Sequence, residues 1–317
     1  MTENNKDHLA WPTKPLHYAR LFFTGFAMGS ADIVPGVSGG TMAFILGVYE
    51  TLINAIKSFD AHVIKLLLGF KIKEILEYVP WRFLVALGAG IFTAVFTLSR
   101  LLSNLLENQP TYIFAFFGGL IIASVVAIGL KVKWSLGAVV ALIGGAVAAF
   151  VIVGLPAFEN VSHDPLTLVF SGMLAIMAMI LPGISGSFIL LILGQYEHVL
   201  GAVKNLDIVS IASVGIGAVI GIIAFSRILS WLLKHYYNTT VAVLVGFMLG
   251  SLRKIWDEAV TGTEKFESFG GGEIAVVVVL VVVGFLLVSL LDHLQTGENP
   301  VFRRFWTKKR DAEVAAV

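Results

Sequence analysis

The chain alternates between long apolar runs and short polar or Gly/Pro-containing breaks. Apolar runs fall at about 21–34, 37–56, 83–106, 111–130, 135–154, 168–181, 184–203, 209–233, 240–253 and 273–292. A helix that crosses a bilayer needs about 20 apolar residues. The runs at 83–106, 111–130, 135–154, 209–233 and 273–292 reach that length, and 240–253 reaches it if extended to Trp256. The runs at 21–34 and 168–181 are shorter, and each ends at a Pro-Gly pair, Pro35-Gly36 and Pro182-Gly183. Proline removes a backbone donor and glycine frees the backbone to turn. A new apolar arm follows each break, so the pattern predicts two re-entrant hairpins. Broken backbone at membrane depth must be buried in protein or line a cavity. The plainer reading is a kinked spanning helix followed by a second one.

Lysine and arginine placement bears on topology, because cytoplasmic loops carry more of both. With the N-terminus inside, two hairpins and about six spanning helices, Lys57, Lys131, Lys133 and Lys234 fall inside with most other basic residues. Only Lys204, Arg253, Lys254 and Lys265 fall outside. Both termini are then cytoplasmic.

The chain also repeats itself. Pro35-Gly36-Val37-Ser38-Gly39-Gly40 matches Pro182-Gly183-Ile184-Ser185-Gly186-Ser187, and Gly25, Gly47, Tyr49-Glu50, Lys57 and Asp60 match Gly172, Gly194, Tyr196-Glu197, Lys204 and Asp207. These positions differ by 147. Ser99-Arg100-Leu101-Leu102 matches Ser226-Arg227-Ile228-Leu229, and Gly119 and Ser124 match Gly246 and Ser251, at a difference of 127. About 20 extra residues near 60–80 account for the change and read as an amphipathic interfacial insert. Three spanning helices per half is odd, so the halves are expected to face opposite ways. That is the inverted-repeat plan of many carriers. The fold class expected is an all-α polytopic membrane protein. Its parts are an N-terminal tail (1–20), a first repeat (21–156), an inverted second repeat (157–294) and a basic tail (295–317).

Composition narrows the chemistry. Of 317 residues, 57% are hydrophobic and 14% charged, the net charge is +1 and there is no cysteine. This leaves no argument for nucleic acid and excludes disulfides, thiolate metal sites and cysteine nucleophiles. The start of the chain lacks the pattern of a cleaved signal peptide. The seven histidines show no metal-binding spacing, and no Walker-type loop is present, so neither metal, cofactor nor ATP hydrolysis is expected.

The two breaks are the candidate site. Each would start a helix whose free N–H groups suit phosphate or carboxylate. The candidate phosphate-binding residues are Ser38, Gly39, Gly40 and Thr41, with Ser185, Gly186 and Ser187. The glycines would equally serve tight helix packing. Arg100 and Arg227, inside predicted spans, are candidate phosphate ligands, one toward each face. Their alternative is a structural ion pair or snorkelling to the interface. Asp32, with Met179 at the matching place, and Glu50 and Glu197 are candidates for coupling a proton or sodium ion. No catalytic residue is assigned.

The blocks Gly29-Ser30-Ala31-Asp32-Ile33-Val34-Pro35-Gly36-Val37-Ser38-Gly39-Gly40-Thr41 and Leu181-Pro182-Gly183-Ile184-Ser185-Gly186-Ser187 resemble the polyprenyl-phosphate transporter (PopT) family of bacteria and archaea. The resemblance runs over about residues 15–295. It implies a non-enzymatic translocase that returns undecaprenyl phosphate from the outer to the inner leaflet of the cytoplasmic membrane, for reuse in cell-envelope synthesis. The residues alone reach only an inverted-repeat carrier with an anion site. A small-anion transporter or channel, and a membrane lipid phosphatase, stand as alternatives. The expected partners are the lipid substrate, surrounding membrane lipids and a coupling ion, with oligomeric state left open.

Overall fold

A computed structural model describes residues 15–34, 37–261, 269–296 and 299–302. Among these the chain is helical, with no strand. The elements of the first half are α1 (Pro15–Asp32), α2 (Gly39–Ile45), α3 (Tyr49–Lys57), α4 (Ala61–Leu68), α5 (Ile72–Tyr78), α6 (Trp81–Asn108), α7 (Pro110–Gly129) and α8 (Leu136–Val153). The second half holds α9 (Pro165–Ile180), α10 (Gly186–Ile192), α11 (Tyr196–Asn205), α12 (Ile208–His235), α13 (Tyr237–Trp256) and α14 (Gly271–Thr296). A single π-helical turn, Asp257–Thr261, extends α13.

Six of these helices, α6, α7, α8, α12, α13 with its extension, and α14, are long and apolar enough to cross a membrane. Their outward faces carry large apolar side chains such as Phe92, Phe96, Val140, Ile216 and Val279. Bare apolar surface of that extent belongs against lipid. The protein is a multi-pass membrane protein.

Two further helix pairs are sharply bent: α2 against α3 by 116° and α10 against α11 by 110°. The sequence pattern predicts one continuous arm after each Pro-Gly break, and each arm instead breaks a second time. The cause is Gly47 and Gly194, whose φ of 70° and 66° are open to glycine at little cost. Of the two Pro-Gly breaks, Pro182-Gly183 is described and turns through a φ of 92° at Gly183. Pro35-Gly36 lies outside the described residues, as do the first 14 residues and the basic run from Arg303 onward.

Glycines set the helix crossings. A Cβ at Gly25 would strike the Leu87 carbonyl, and one at Gly90 the Phe22 carbonyl, so α1 and α6 touch backbone to backbone. Gly172 against Val214 and Gly217 against Val169 join α9 to α12 in the same way, at the offsets of the sequence repeat. Gly119 and Gly284 pack α7 on α14, and Gly246 and Gly145 pack α13 on α8. Small residues at such crossings gain dispersion that bulkier ones would forbid. The halves therefore exchange partners through their last two helices.

Polar ties mark the two ends of this bundle. Lys131 meets Asp292 at 2.7 Å, and the Lys133 N–H donates to Asn238 Oδ1 at 2.8 Å. These gather the ends of α7 and α14 and the start of α13 at one face. At the other, the Thr111 hydroxyl donates to the Ala259 carbonyl at 2.7 Å. The 60–80 insert forms the exposed hairpin α4–α5, turning at Gly69 and Phe70.

Candidate functional site

The two breaks meet in the interior. Ser38 N-caps α2, and its hydroxyl accepts from the Gly40 N–H at 3.1 Å. That hydroxyl also faces the carbonyls of Leu181 and Met179, at 3.3 and 3.4 Å. The Gly183 N–H donates to Thr41 Oγ1 at 3.1 Å, and the Tyr49 hydroxyl donates to the Ile180 carbonyl at 3.1 Å. Ser38 and Thr41 are only 1% and 2% exposed. A Cβ at Gly40 would lie 2.8 Å from the Ile180 carbonyl. The first break is thus locked to the second by side chains that cap backbone groups freed by each turn.

The candidate anion donors have internal partners in this conformation. The Gly39 N–H donates to Asp32 Oδ1 at 2.6 Å, so the carboxylate of the first arm sits over the start of α2. The Thr41 N–H donates to the Ser38 carbonyl. In the second half Met179 replaces that acid, Ser185 makes no capping bond, and its hydroxyl lies 2.7 Å from that of Ser187. Gly186 packs against the Ala175 carbonyl, and Ser187 is exposed.

Arg100 on α6 and Arg227 on α12 are exposed and unpaired among the described residues, and no hydrogen bond or ion pair ties either of them to the breaks. Glu197 is exposed in the first turn of α11.

Glu50 occupies a different setting. It lines a cavity of about 940 Å³ that lies against the crossing of the breaks and is bounded by α3, α12 and α13. Tyr49, which touches the second break, also lines it, so one side chain spans from the cavity to the crossing. Three lysines face this space: Lys57, Lys131 and Lys234. Lys57 donates to Ser230 Oγ at 3.2 Å, and Ser230 donates to Asn54 Oδ1 at 3.1 Å. Lys131 is held by Asp292, whose other oxygen accepts from Asn299 at 2.9 Å. Arg227 sits one turn before Ser230 on α12. Such a cluster of ammonium, hydroxyl and amide donors suits an anion with several oxygens.

At the mouth, Asp60 and Tyr78 join the two ends of the α4–α5 hairpin, with the Tyr78 hydroxyl donating to Asp60 Oδ2 at 2.8 Å. Burial acts to raise the Asp60 pKa, but bonds from Tyr78, Val63 and His62 outweigh it and hold the carboxyl below its usual value. The same bond raises the Tyr78 hydroxyl. The clamp stays ionised and closed at neutral pH.

The cavity lysines were visible in the sequence only as charges on one face. No spacing rule brings residues 57, 131 and 234 together, because three separate helix ends must converge. The one local signal was the recurrence of Lys57 as Lys204.

Comparison with known proteins adds an independent line. A family model described as undecaprenyl phosphate translocase-like matches residues 28–272. The polyprenyl-phosphate transporter of Vibrio cholerae is 41% identical over 260 residues, covering 81% of this chain and 83% of that protein. The polyprenyl-phosphate transporter of Staphylococcus aureus is 31% identical over 294 residues, covering 87% of this chain and 96% of that protein. No solved structure matches.

Proposed function

The chain belongs to the undecaprenyl phosphate translocase-like family, and from that membership we propose that it returns undecaprenyl phosphate from the outer to the inner leaflet of the bacterial cytoplasmic membrane. Family and relatives are transporters, not enzymes, and the substrate is a polyprenyl phosphate. The single observation that carries the finer reading is the three-lysine cavity beside the interlocked breaks. A lipid phosphate needs a cationic, hydroxyl-lined pocket for its head and an open side for its tail.

In this reading the two halves lie inverted in the membrane, and both termini and the lysine-rich face are cytoplasmic. The present conformation is the inward-facing one, and the head group rests among Lys57, Lys131 and Lys234. Before that it passes the break crossing, where its oxygens take the place of the Asp32 carboxylate at Ser38–Thr41 and use Ser185–Ser187 on the other side. Arg100 and Arg227 neutralise it at the two faces. The isoprenoid tail stays in lipid throughout.

Inward movement of an anion opposes an inside-negative potential, at about 2.3 kcal/mol per charge per 100 mV. A proton or cation moving with it offsets that cost, and Asp32, Glu50 and Glu197 are the groups placed to carry it. Asp32 is the leading one, because protonation weakens its grip on the Gly39 N–H and frees that donor for phosphate.

The test is transfer of undecaprenyl phosphate between leaflets of proteoliposomes at several pH values and imposed gradients. Transfer should depend on a gradient in the wild type and lose that dependence in Asp32→Asn, Glu50→Gln or Glu197→Gln. Transfer indifferent to all three substitutions at every pH removes the coupling. Uptake of labelled small anions, unaffected by added polyprenyl phosphate, would favour a small-anion carrier instead.

A further inference from the structure

One contact separates the two faces of the molecule. On the lysine-rich face, Lys57 of α3 bonds Ser230 of α12. The residues at the same repeat offsets on the opposite face are Lys204 of α11 and Ser103 of α6, the same two residue types. Both are exposed, and neither has a hydrogen bond or ion pair among the described residues. The packing differs in step: α3 lies on α12, while α11 packs on α12 and has no comparable packing on α6. Ile53 on α3 is buried, whereas Leu200 at the matching place on α11 is 52% exposed. Arg100 precedes Ser103 by three residues, as Arg227 precedes Ser230, so each arginine shares a helix face with its serine.

Resting on the transporter reading, we infer that Arg100, Ser103 and Lys204 form a second lipid-phosphate site on the opposite face, assembled when α11 closes onto α6 as α3 now lies on α12.

This second site is built to need its ligand. On the inner face Asn54 accepts from Ser230 at 3.1 Å and helps hold the contact between α3 and α12. Its counterpart is Gly201, which has no side chain to offer and open space around it. Bringing Lys204 toward Arg100 sets two cations close together, and a phosphate monoester bridging them removes that repulsion. The outer site also carries Glu107 where the inner carries Lys234, and Glu258, paired with Lys254 at 2.7 Å, where the inner carries Lys131. It therefore holds an anion less firmly than the cavity does.

The chain has no cysteine, so engineered pairs report without background. Full-length Gly201→Cys/Ser99→Cys and Asn54→Cys/Ser230→Cys are compared in proteoliposomes with a short thiol-to-thiol reagent, with and without undecaprenyl phosphate. Ser99 lies one turn from Ser103, so Arg100, Ser103 and Lys204 stay intact. The Asn54 and Ser230 side chains touch at 3.1 Å, so that pair should link without lipid, which also verifies folding. The Gly201/Ser99 pair should link severalfold more with lipid, and added Lys204→Ala or Arg100→Ala should abolish that rise. Linking that is equal with and without lipid, or unaffected by those substitutions, overturns the second site. Leaflet transfer by the wild type is measured in the same vesicles. Transfer with unchanged linking rejects the second site alone, whereas no transfer rejects the transporter reading on which it rests.

Discussion

Lys57, Lys131 and Lys234 face one cavity under different restraints. Lys57 is oriented by Ser230, Lys131 is ion-paired with Asp292, and Lys234 lies in the last turn of α12. Hydrogen bonds to charged groups contribute about 1.5–3 kcal/mol. Lys57→Ala should therefore weaken head-group binding roughly tenfold or more, read by calorimetry with a short-chain polyprenyl phosphate. Lys131→Ala should cost less affinity and more stability, since it takes an ammonium partner from the buried Asp292 carboxylate. At the crossing, Thr41→Val keeps the shape and removes the acceptor of the Gly183 N–H. An unsatisfied buried donor costs about 1–3 kcal/mol, so thermal stability should fall with Thr41→Val and recover with Thr41→Ser. The sequence pointed to Ser38 through the repeated motif and to Thr41 as its neighbour at the start of the following helix. It did not show that their oxygens cap the opposite break, because that depends on how two distant turns dock.

Among elements, spans were legible wherever length alone decides. The bends at Gly47 and Gly194 were not, because the apolar run continues through them and only a positive φ reveals the turn. The insert was visible from the offset change, and its two helices follow from Gly69 and Phe70. The α1–α6 crossing makes a sharper prediction. Gly90→Leu drives a side chain into the Phe22 carbonyl, and Gly217→Leu does the same at Val169. Overpacking typically costs about 1–3 kcal/mol where neighbours can give, and backbone cannot. Both variants should lose most monodisperse protein on detergent extraction, while Gly88→Leu, with open space around it, should extract like the wild type. A near-normal Gly90→Leu would mean that α1 is free to shift. The Asp60–Tyr78 clamp adds a pH expectation. A carboxyl held below its unfolded value stabilises above that value and loses its contribution as pH falls through the folded one. Acid should therefore loosen the hairpin, and so should alkali strong enough to ionise the Tyr78 donor, whose hydroxyl the bond raises. Both are read as protease cleavage near Phe70 in wild type at low and at high pH, and in Tyr78→Phe at neutral pH.

For the whole molecule, the order and lengths of elements recur between halves: α6 and α12 each span 28 residues, and α7 and α13 each span 20. The contacts do not all recur. α3 closes on α12 while its counterpart stands away from α6, and the lysines gather at one face. A carrier built on two similar halves changes sides by exchanging such differences, and a ligand moves that balance only by its differential affinity for the two states. The sequence carried the repeat and the family resemblance, but not which half is closed, since closely similar motifs adopt both arrangements.

The most direct measurement is the rate at which undecaprenyl phosphate changes leaflet in proteoliposomes holding wild type or Lys57→Ala/Lys234→Ala, with both proteins verified as folded by thermal melting. Transfer well above protein-free vesicles in the wild type, and near that background in the double variant, is the predicted result. Transfer that survives loss of both lysines, or a wild type no faster than bare lipid under every imposed gradient, would contradict a head group carried through this cavity.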